Sequence, residues 1–266
     1  MFPFKSNLHY VRFSTRAQSF YGLLDGGEID TLTGNLFDVP RATGQTHLLS
    51  GVKLLSPCEP RKILAVGRNY QSHLKGRKAP ETPEIFYKPI TALQNPGDPI
   101  VLPRDSRNAH FEGELVIVIG QTVSKASKSE AAAAIFGVTC GNDISERDWQ
   151  NGNEAEGIAK DLQWWRAKGS DTFAPLGPAI VTGLDYGNLR LQTRVNGQTL
   201  QDQTTADLIF DLPSVVSWIS QWVTLTPGDV IYTGTPGNTR ALQPGDVVEV
   251  EIEGVSRVSN PVVGPS

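Results

Sequence analysis

Cysteine, methionine and long apolar runs are scarce in this chain. Its 266 residues include two cysteines and one methionine. Cys58 and Cys140 alone exclude a disulfide framework or a thiolate metal cluster and predict a reducing, cytoplasmic home. The longest uninterrupted apolar run, residues 131–136, is far too short to cross a bilayer. The opening MFPFKSNLHY lacks the apolar core of a secretory signal. There is no basic block, and 24 Lys and Arg against 28 Asp and Glu give a net charge of −4. A nucleic-acid partner is therefore not expected. A small anionic substrate remains open, because a site can differ in charge from the average surface.

What the chain has in excess is turn residues. Its 26 glycines and 18 prolines make up about a sixth of the sequence, with no collagen-like period and no Pro/Ser tract. Apolar residues supply 39%, enough for a sizeable core. This punctuation predicts many short strands joined by turns. Length and pattern together predict a small N-terminal β domain over residues 1–57 and a larger domain over 58–266, divided at the proline-bearing SPCEPRK. Asp25-Gly26-Gly27 and Asn196-Gly197 read as hairpin turns. Residues 127–137, Ala-rich and closed by Gly137, read as a helix. So does LIFDLPSVVSWISQW, with Pro213 near its start. A Pro-Gly-Asp-Val corner occurs twice, at 227–230 and 244–247. Residues 68–84, polar and rich in Pro and Gly, read as a loop.

Four stretches carry chemistry. In HFEGELVIVI, Glu112 and Glu114 lie two apart at the start of a strand and share a face. Two carboxylates so close repel unless a cation or a proton sits between them; the alternative is a solvated acidic edge. Asp143 follows the apolar run VTCG, at a strand end where clefts open, or else it begins an Asx turn. Lys168 and Asp171 lie between two tryptophans and a Pro/Gly run, where a lysine could neutralise an anion or simply be exposed. Thr235 sits in the tight turn of TGTPGN, whose hydroxyl and N–H groups suit a carboxylate or make a plain turn.

Taken together and in order, these pieces resemble the fumarylacetoacetate hydrolase superfamily. The resemblance runs from about residue 60 to about residue 262 through VGRNYQSH, IFYKPITAL, FEGELVIVIG, GNDISERDWQ, KGSDTFAPLGP, VNGQTLQDQTTADLIF and TPGDVIYTGTPGN. It implies a mixed, β-rich α+β fold, a rolled β-sheet barrel with a small N-terminal β domain. It implies that Glu112, Glu114 and Asp143 ligate one divalent cation. Three hard oxygen donors suit Mg²⁺, Mn²⁺ or Ca²⁺, and a 2-oxo acid would fill open coordination positions while the metal stabilises an enolate. By the same resemblance Lys168 and His73 are catalytic, and Tyr70, Lys88, Arg147, Gln150 and Thr235 bind substrate. Asp171 would orient Lys168. A homodimer acting on a small carboxylic acid is also implied.

One departure bears on the reaction. Hydrolytic members carry a His-x-x-Glu dyad, in which the glutamate orients the histidine as general base. His73 matches the histidine, but the position three later is Gly76. Glu81 or Glu84 could swing in to replace it, or His73 is a bystander on the loop. The expected activity is C–C hydrolysis of an acylpyruvate or fumarylacetoacetate-like substrate. The alternatives are oxaloacetate decarboxylation or keto–enol isomerisation of a 2-oxo acid, which need less water activation. A third is a metal-stabilised acid-binding protein without turnover.

Overall fold

The computed structural model describes residues 7–16, 18–74 and 76–265. Eleven strands form one continuous sheet. Its edge is built from the N-terminal strands Leu8–Ser14, Ser19–Asp25, Glu28–Thr33 and Arg41–Leu48. The first of these pairs antiparallel with Ala179–Thr182 in the register Leu8↔Thr182 to Val11↔Ala179. The sheet then runs through Ile135–Asn142, Gly113–Ile119, Val230–Tyr232 and Ile63–Gly67 to Glu84–Lys88. A second, five-stranded sheet comprises Gln198–Thr204, Arg190–Val195, Val247–Ile252, Ser256–Val263 and Ile100–Val101. The architecture is the strand-rich one expected.

The turn chemistry explains the hairpins. Gly26 and Gly27 both have positive φ and join strands paired Asp25↔Glu28. Asn196 and Gly197, with φ of 52° and 78°, close the pair Val195↔Gln198. Two successive left-handed residues give a type I′ turn, whose twist matches the strands. The repeated corner is built the same way twice. The Asp229 carboxylate accepts from the Thr226 N–H at 2.7 Å and Asp246 from the Gln243 N–H at 3.0 Å.

The Gly113–Ile119 strand is buried on both faces. Leu115, Ile117 and Ile119 pack into one core with Ala131, Val215, Val216 and Ile219 of the two longer helices. Val116 and Val118 enter a second core with Ile63, Ile180 and Tyr232. The two-residue period thus places Glu114 on the face of Val116.

One helix is shorter than expected. Residues 127–137 contain the helix Lys128–Ala134, opened by a reciprocal capping box between Ser127 and Glu130. Ile135 already belongs to the strand Ile135–Asn142 and faces Ile119. Pairing with a central strand outweighs the alanine-rich helical propensity there. The second helix, Leu212–Ser220, has Asp211 as N-cap and Pro213 in its first turn, where a missing N–H does no harm.

Candidate metal and substrate site

Glu112 precedes the central strand, Glu114 lies on it and Asp143 follows its partner Ile135–Asn142. The pairing Gly113↔Asn142 brings the three together. The Glu112 N–H donates to Asn142 Oδ1 at 2.9 Å and the Asp143 N–H to the Glu112 carbonyl at 2.8 Å. Each of the three carboxylates is buried, and each offers one oxygen lying within 4.8 Å of the others.

Buried anions need partners. Lys168 Nζ donates to Glu112 Oε2 and Asp143 Oδ2, both at 2.6 Å. Lys88 Nζ donates to Asp143 and to the Lys168 carbonyl, and Arg147 to Glu112. Burial works against ionised Glu112, but Arg147 and Lys168 hold its carboxyl far below the usual range. Burial alone would lower Lys168; Asp143 and Glu112 keep it raised and protonated. Lys88 is lowered, chiefly by burial. Glu114 stands apart. It accepts a hydrogen bond from the Gly234 N–H at 2.7 Å and none from a cationic side chain among the described residues. Burial, with Asp143 and Glu112 beside it, pushes its carboxyl well above the usual range. A third buried carboxylate short of positive charge is what a divalent cation would satisfy, and an all-oxygen donor set suits a hard ion. The residues present therefore fit a metal.

Glu112 and Glu114 of the triad line a small cavity of about 50 Å³ that also touches His73, Arg147, Gln150, Lys168 and Thr235. It adjoins a cleft of about 1730 Å³. Arg61, Arg68, Arg77, Arg147, Lys160 and Arg166 line that cleft against the two acids Glu84 and Asp171. A chain of net negative charge thus presents a cationic mouth to its site.

The other expected residues fall as follows. His73 lies in a 3₁₀ turn, Gln71–His73, with its ring Nδ1 2.8 Å from the Gly237 carbonyl. A carbonyl only accepts, so Nδ1 carries the proton and Nε2 is the free base in the neutral ring. Burial is the main reason its pKa lies below 6.5. Glu81 pairs with Lys78, and Glu84 with Arg68; neither acid reaches His73. Gln150 accepts from Arg147 at 2.7 Å. The Thr235 hydroxyl donates to the Gly113 carbonyl at 2.9 Å and accepts from Gln201 at 2.8 Å, so its proton is already committed. Asp171 is exposed in the cleft wall, away from the Lys168 ammonium, whose hydrogen bonds go to Glu112 and Asp143. Tyr70 is fully buried and contributes to neither cavity wall.

Several positioning residues gave no sequence signal. Asp161 caps the turn carrying Lys168, accepting from the Arg166 and Ala167 N–H groups at 3.0 and 3.2 Å. Buried Glu146 accepts from Ser106 and from the N–H groups of Arg107, Asn108 and Asp148, holding the start of the helix that bears Arg147. Asn69 accepts from the Phe210 N–H at 2.8 Å and donates to the Phe210 and Thr233 carbonyls at 3.1 and 2.8 Å. The partners of Asn69 and most of those of Glu146 are distant in sequence, while Asp161 acts five and six residues on; only an acid-rich or amide-rich spelling marks them.

Fold and site define a β-rich scaffold with a buried, cation-fitting acidic triad beneath a positively charged cleft. The family model for the fumarylacetoacetate (FAA) hydrolase C-terminal region matches residues 62–263, and one described as Rv2993c-like, N-terminal matches residues 8–57. The chain belongs to the fumarylacetoacetate hydrolase family. It is 44% identical over 232 residues to Protein Rv2993c of Mycobacterium tuberculosis, covering 85% of this chain and 84% of that one. It is 38% identical over 232 residues to the mitochondrial oxaloacetate tautomerase fahd2 of Xenopus laevis, covering 82% and 71%. Its structure resembles that of 2-hydroxyhepta-2,4-diene-1,7-dioate isomerase from Mycobacterium marinum with a TM-score of 0.87, 39% identity and coverage of 97% and 98%.

Proposed function

We propose that the protein is a divalent-cation-dependent isomerase of small 2-oxo dicarboxylic acids, moving a proton between C3 and the 2-oxygen. The observation that carries this reading is His73. It borders the triad cavity with its Nδ1 held by the Gly237 carbonyl and not by a carboxylate, while Glu112 shares the cavity wall. Such a base can take a carbon-bound acidic proton. Its Nδ1 meets a neutral carbonyl where a carboxylate would strengthen it for activating water.

A divalent cation bound by Glu112, Glu114 and Asp143 would supply Lewis-acid stabilisation of charge developing on a carbonyl oxygen. The rest falls to the chain. Lys168 spends two of its three N–H donors on Glu112 and Asp143, and the third is available to a substrate oxygen. Arg147 and Gln150 hold each other at the cavity wall, where a guanidinium can meet a carboxylate. Lys88, Arg147 and Lys168 equal the three carboxylates in number but among them donate only to Glu112 and Asp143, so a divalent ion at Glu114 would bring the whole site to an excess of two positive charges. That excess suits a dicarboxylate, as does the cationic cleft. The similar oxaloacetate tautomerase and dioate isomerase support the same substrate class.

C–C hydrolysis is the second reading, favoured by the neutral His73 Nε2, which could also accept a proton from water. The test monitors oxaloacetate enol absorbance, pyruvate release and acetylpyruvate cleavage in parallel, with Mg²⁺ or with chelator. Isomerisation predicts chelator-sensitive acceleration of enol decay with neither pyruvate release nor cleavage. Metal-dependent acetylpyruvate cleavage without enol turnover would give precedence to hydrolysis.

The same proposal includes a cytoplasmic homodimer with its small domain at 1–57 and catalytic domain at 58–266. Both cysteines are free and buried. Exposed Tyr87, Ile90, Leu162 and Trp165 on the cleft wall offer apolar surface to a second copy. Among the described residues no helix is long and apolar enough to cross a membrane.

A further inference from the structure

His110 opens the run that carries Glu112 and Glu114, yet it has had no part in the site so far. It lies on the short strand Ala109–His110, which pairs His110↔Ser145 on one side and bridges to Ala241 on the other. Ser145–Glu146 leads into the helix Arg147–Asn151, and Ala241 follows Thr239 by two residues. His110 thus stands between the segment bearing Arg147 and the segment bearing Thr239.

The side chains connect the same two segments, and each hydrogen bond has a direction. Asn108 Nδ2 donates to Asp148 Oδ1 at 2.8 Å, which leaves its Oδ1 to accept. That oxygen lies 2.8 Å from His110 Nε2, so Nε2 carries a proton. In the neutral ring Nδ1 then accepts, and the Thr239 hydroxyl 2.8 Å away donates to it. The oxygen of Thr239 is left to accept from Arg147 Nη2 at 3.3 Å. The same Nη2 donates to Glu112, while Nη1 donates to Gln150 at 2.7 Å.

We infer that Thr239, aligned by His110, is a positioning residue for Arg147. The Glu112 carboxylate pulls the guanidinium toward the triad, and Thr239 holds the same nitrogen toward the loop that follows Gly237. The opposed contacts fix the plane that Arg147 presents to the small cavity. Neither Thr239 nor His110 lines that cavity, whereas Arg147 does, so both would act through the arginine. The inference rests on Arg147 meeting a substrate carboxylate, as proposed above.

The experiment compares wild type, Thr239→Val and Thr239→Ser in Mg²⁺. It reads KM and kcat for the oxaloacetate enol, and the Kd of oxalate by quenching of tryptophan fluorescence, since Trp164 walls the cavity. Thr239→Val should raise KM and Kd about tenfold and leave kcat nearly unchanged, and Thr239→Ser should restore both. His110→Phe should shift KM in the same direction, and add nothing in a Thr239→Val background. Unchanged KM and Kd in Thr239→Val would overturn the inference, as would a fall in kcat alone. A further rise on adding His110→Phe would overturn the role of His110. Thermal midpoints of Thr239→Val, Arg147→Gln and their double variant supply a measure free of substrate. The brace predicts a combined loss smaller than the sum of the single losses, and strict additivity would overturn it. Wild type that binds no oxalate and turns over no enol would overturn the proposed substrate class instead, and the midpoints would still decide the brace.

Discussion

His73 shows how one side chain can be right while its support is wrong for one chemistry. Burial lowers its pKa below 6.5, so the folded protein holds it neutral at pH 7. The sign follows from linkage. Below 6.5 the unfolded chain binds this proton more readily, so His73 subtracts stability as pH falls toward its folded value. The acid limb of kcat/KM should accordingly lie below 6.5. His73→Gln should remove that limb and lower kcat/KM by about 100-fold, as pH–rate profiles would measure. Gly76, where the dyad's acid would sit, adopts φ of 81°. That left-handed conformation disfavours a glutamate by about 1–2 kcal/mol. Gly76→Glu would therefore strain the turn as well as add an acid, and the position is better read as a backbone requirement than as a lost carboxylate.

At the scale of elements, the triad depends on the central strand pair meeting without obstruction. Gly141 lies opposite Glu114. A Cβ there would come 2.5 Å from Tyr232 Cε1 and 2.8 Å from Val116 Cγ2. Both neighbours are fully buried, so Gly141→Ala should destabilise by about 2 kcal/mol and displace Asp143. Urea unfolding would give the first effect and Mn²⁺ titration the second. The Asn196-Gly197 turn is a milder case. Its conformation needs two positive φ values, yet nothing lies near the Gly197 Cβ position. Gly197→Ala should lower stability by about 1 kcal/mol, also read by urea unfolding, without touching the site.

For the whole molecule, the unmet charge at Glu114 couples cation binding to folding. A ligand that binds only the folded state stabilises it by mass action, about 2.7 kcal/mol at a hundredfold excess over Kd. Mg²⁺ or Mn²⁺ should therefore raise the thermal midpoint of the wild type. Asp143→Asn should keep the circular dichroism of the fold, lose that response and lose turnover. Retained metal response in this variant would exclude Asp143 as a ligand. The large sheet runs unbroken from the N-terminal strands through Ala179–Thr182 to the strands bearing the triad. The N-terminal strands thus extend the sheet that carries the site.

Much of this was written in local spelling. Asn196-Gly197, the Pro-Gly-Asp corners and Pro213 after Asp211 act within a few residues, so their turns and caps were legible in the sequence. Glu112 and Glu114 share a face because a strand repeats every two residues, and Asp143 stood out at a strand end. The helix boundary at Ile135 was not legible, because a partner strand decided it. Nor was the pairing of Lys88 with Asp143 or Arg147 with Glu112, since those contacts span 55 and 35 residues. The sequence by itself determined a turn-rich β protein, its acidic triad and the absence of an acid at position 76. Only the tertiary structure decided which acid of the triad lacks a cationic partner and which nitrogen of His73 is the base. Those properties depend on burial and on neighbours brought together across the sheet, and neither is encoded in local spacing.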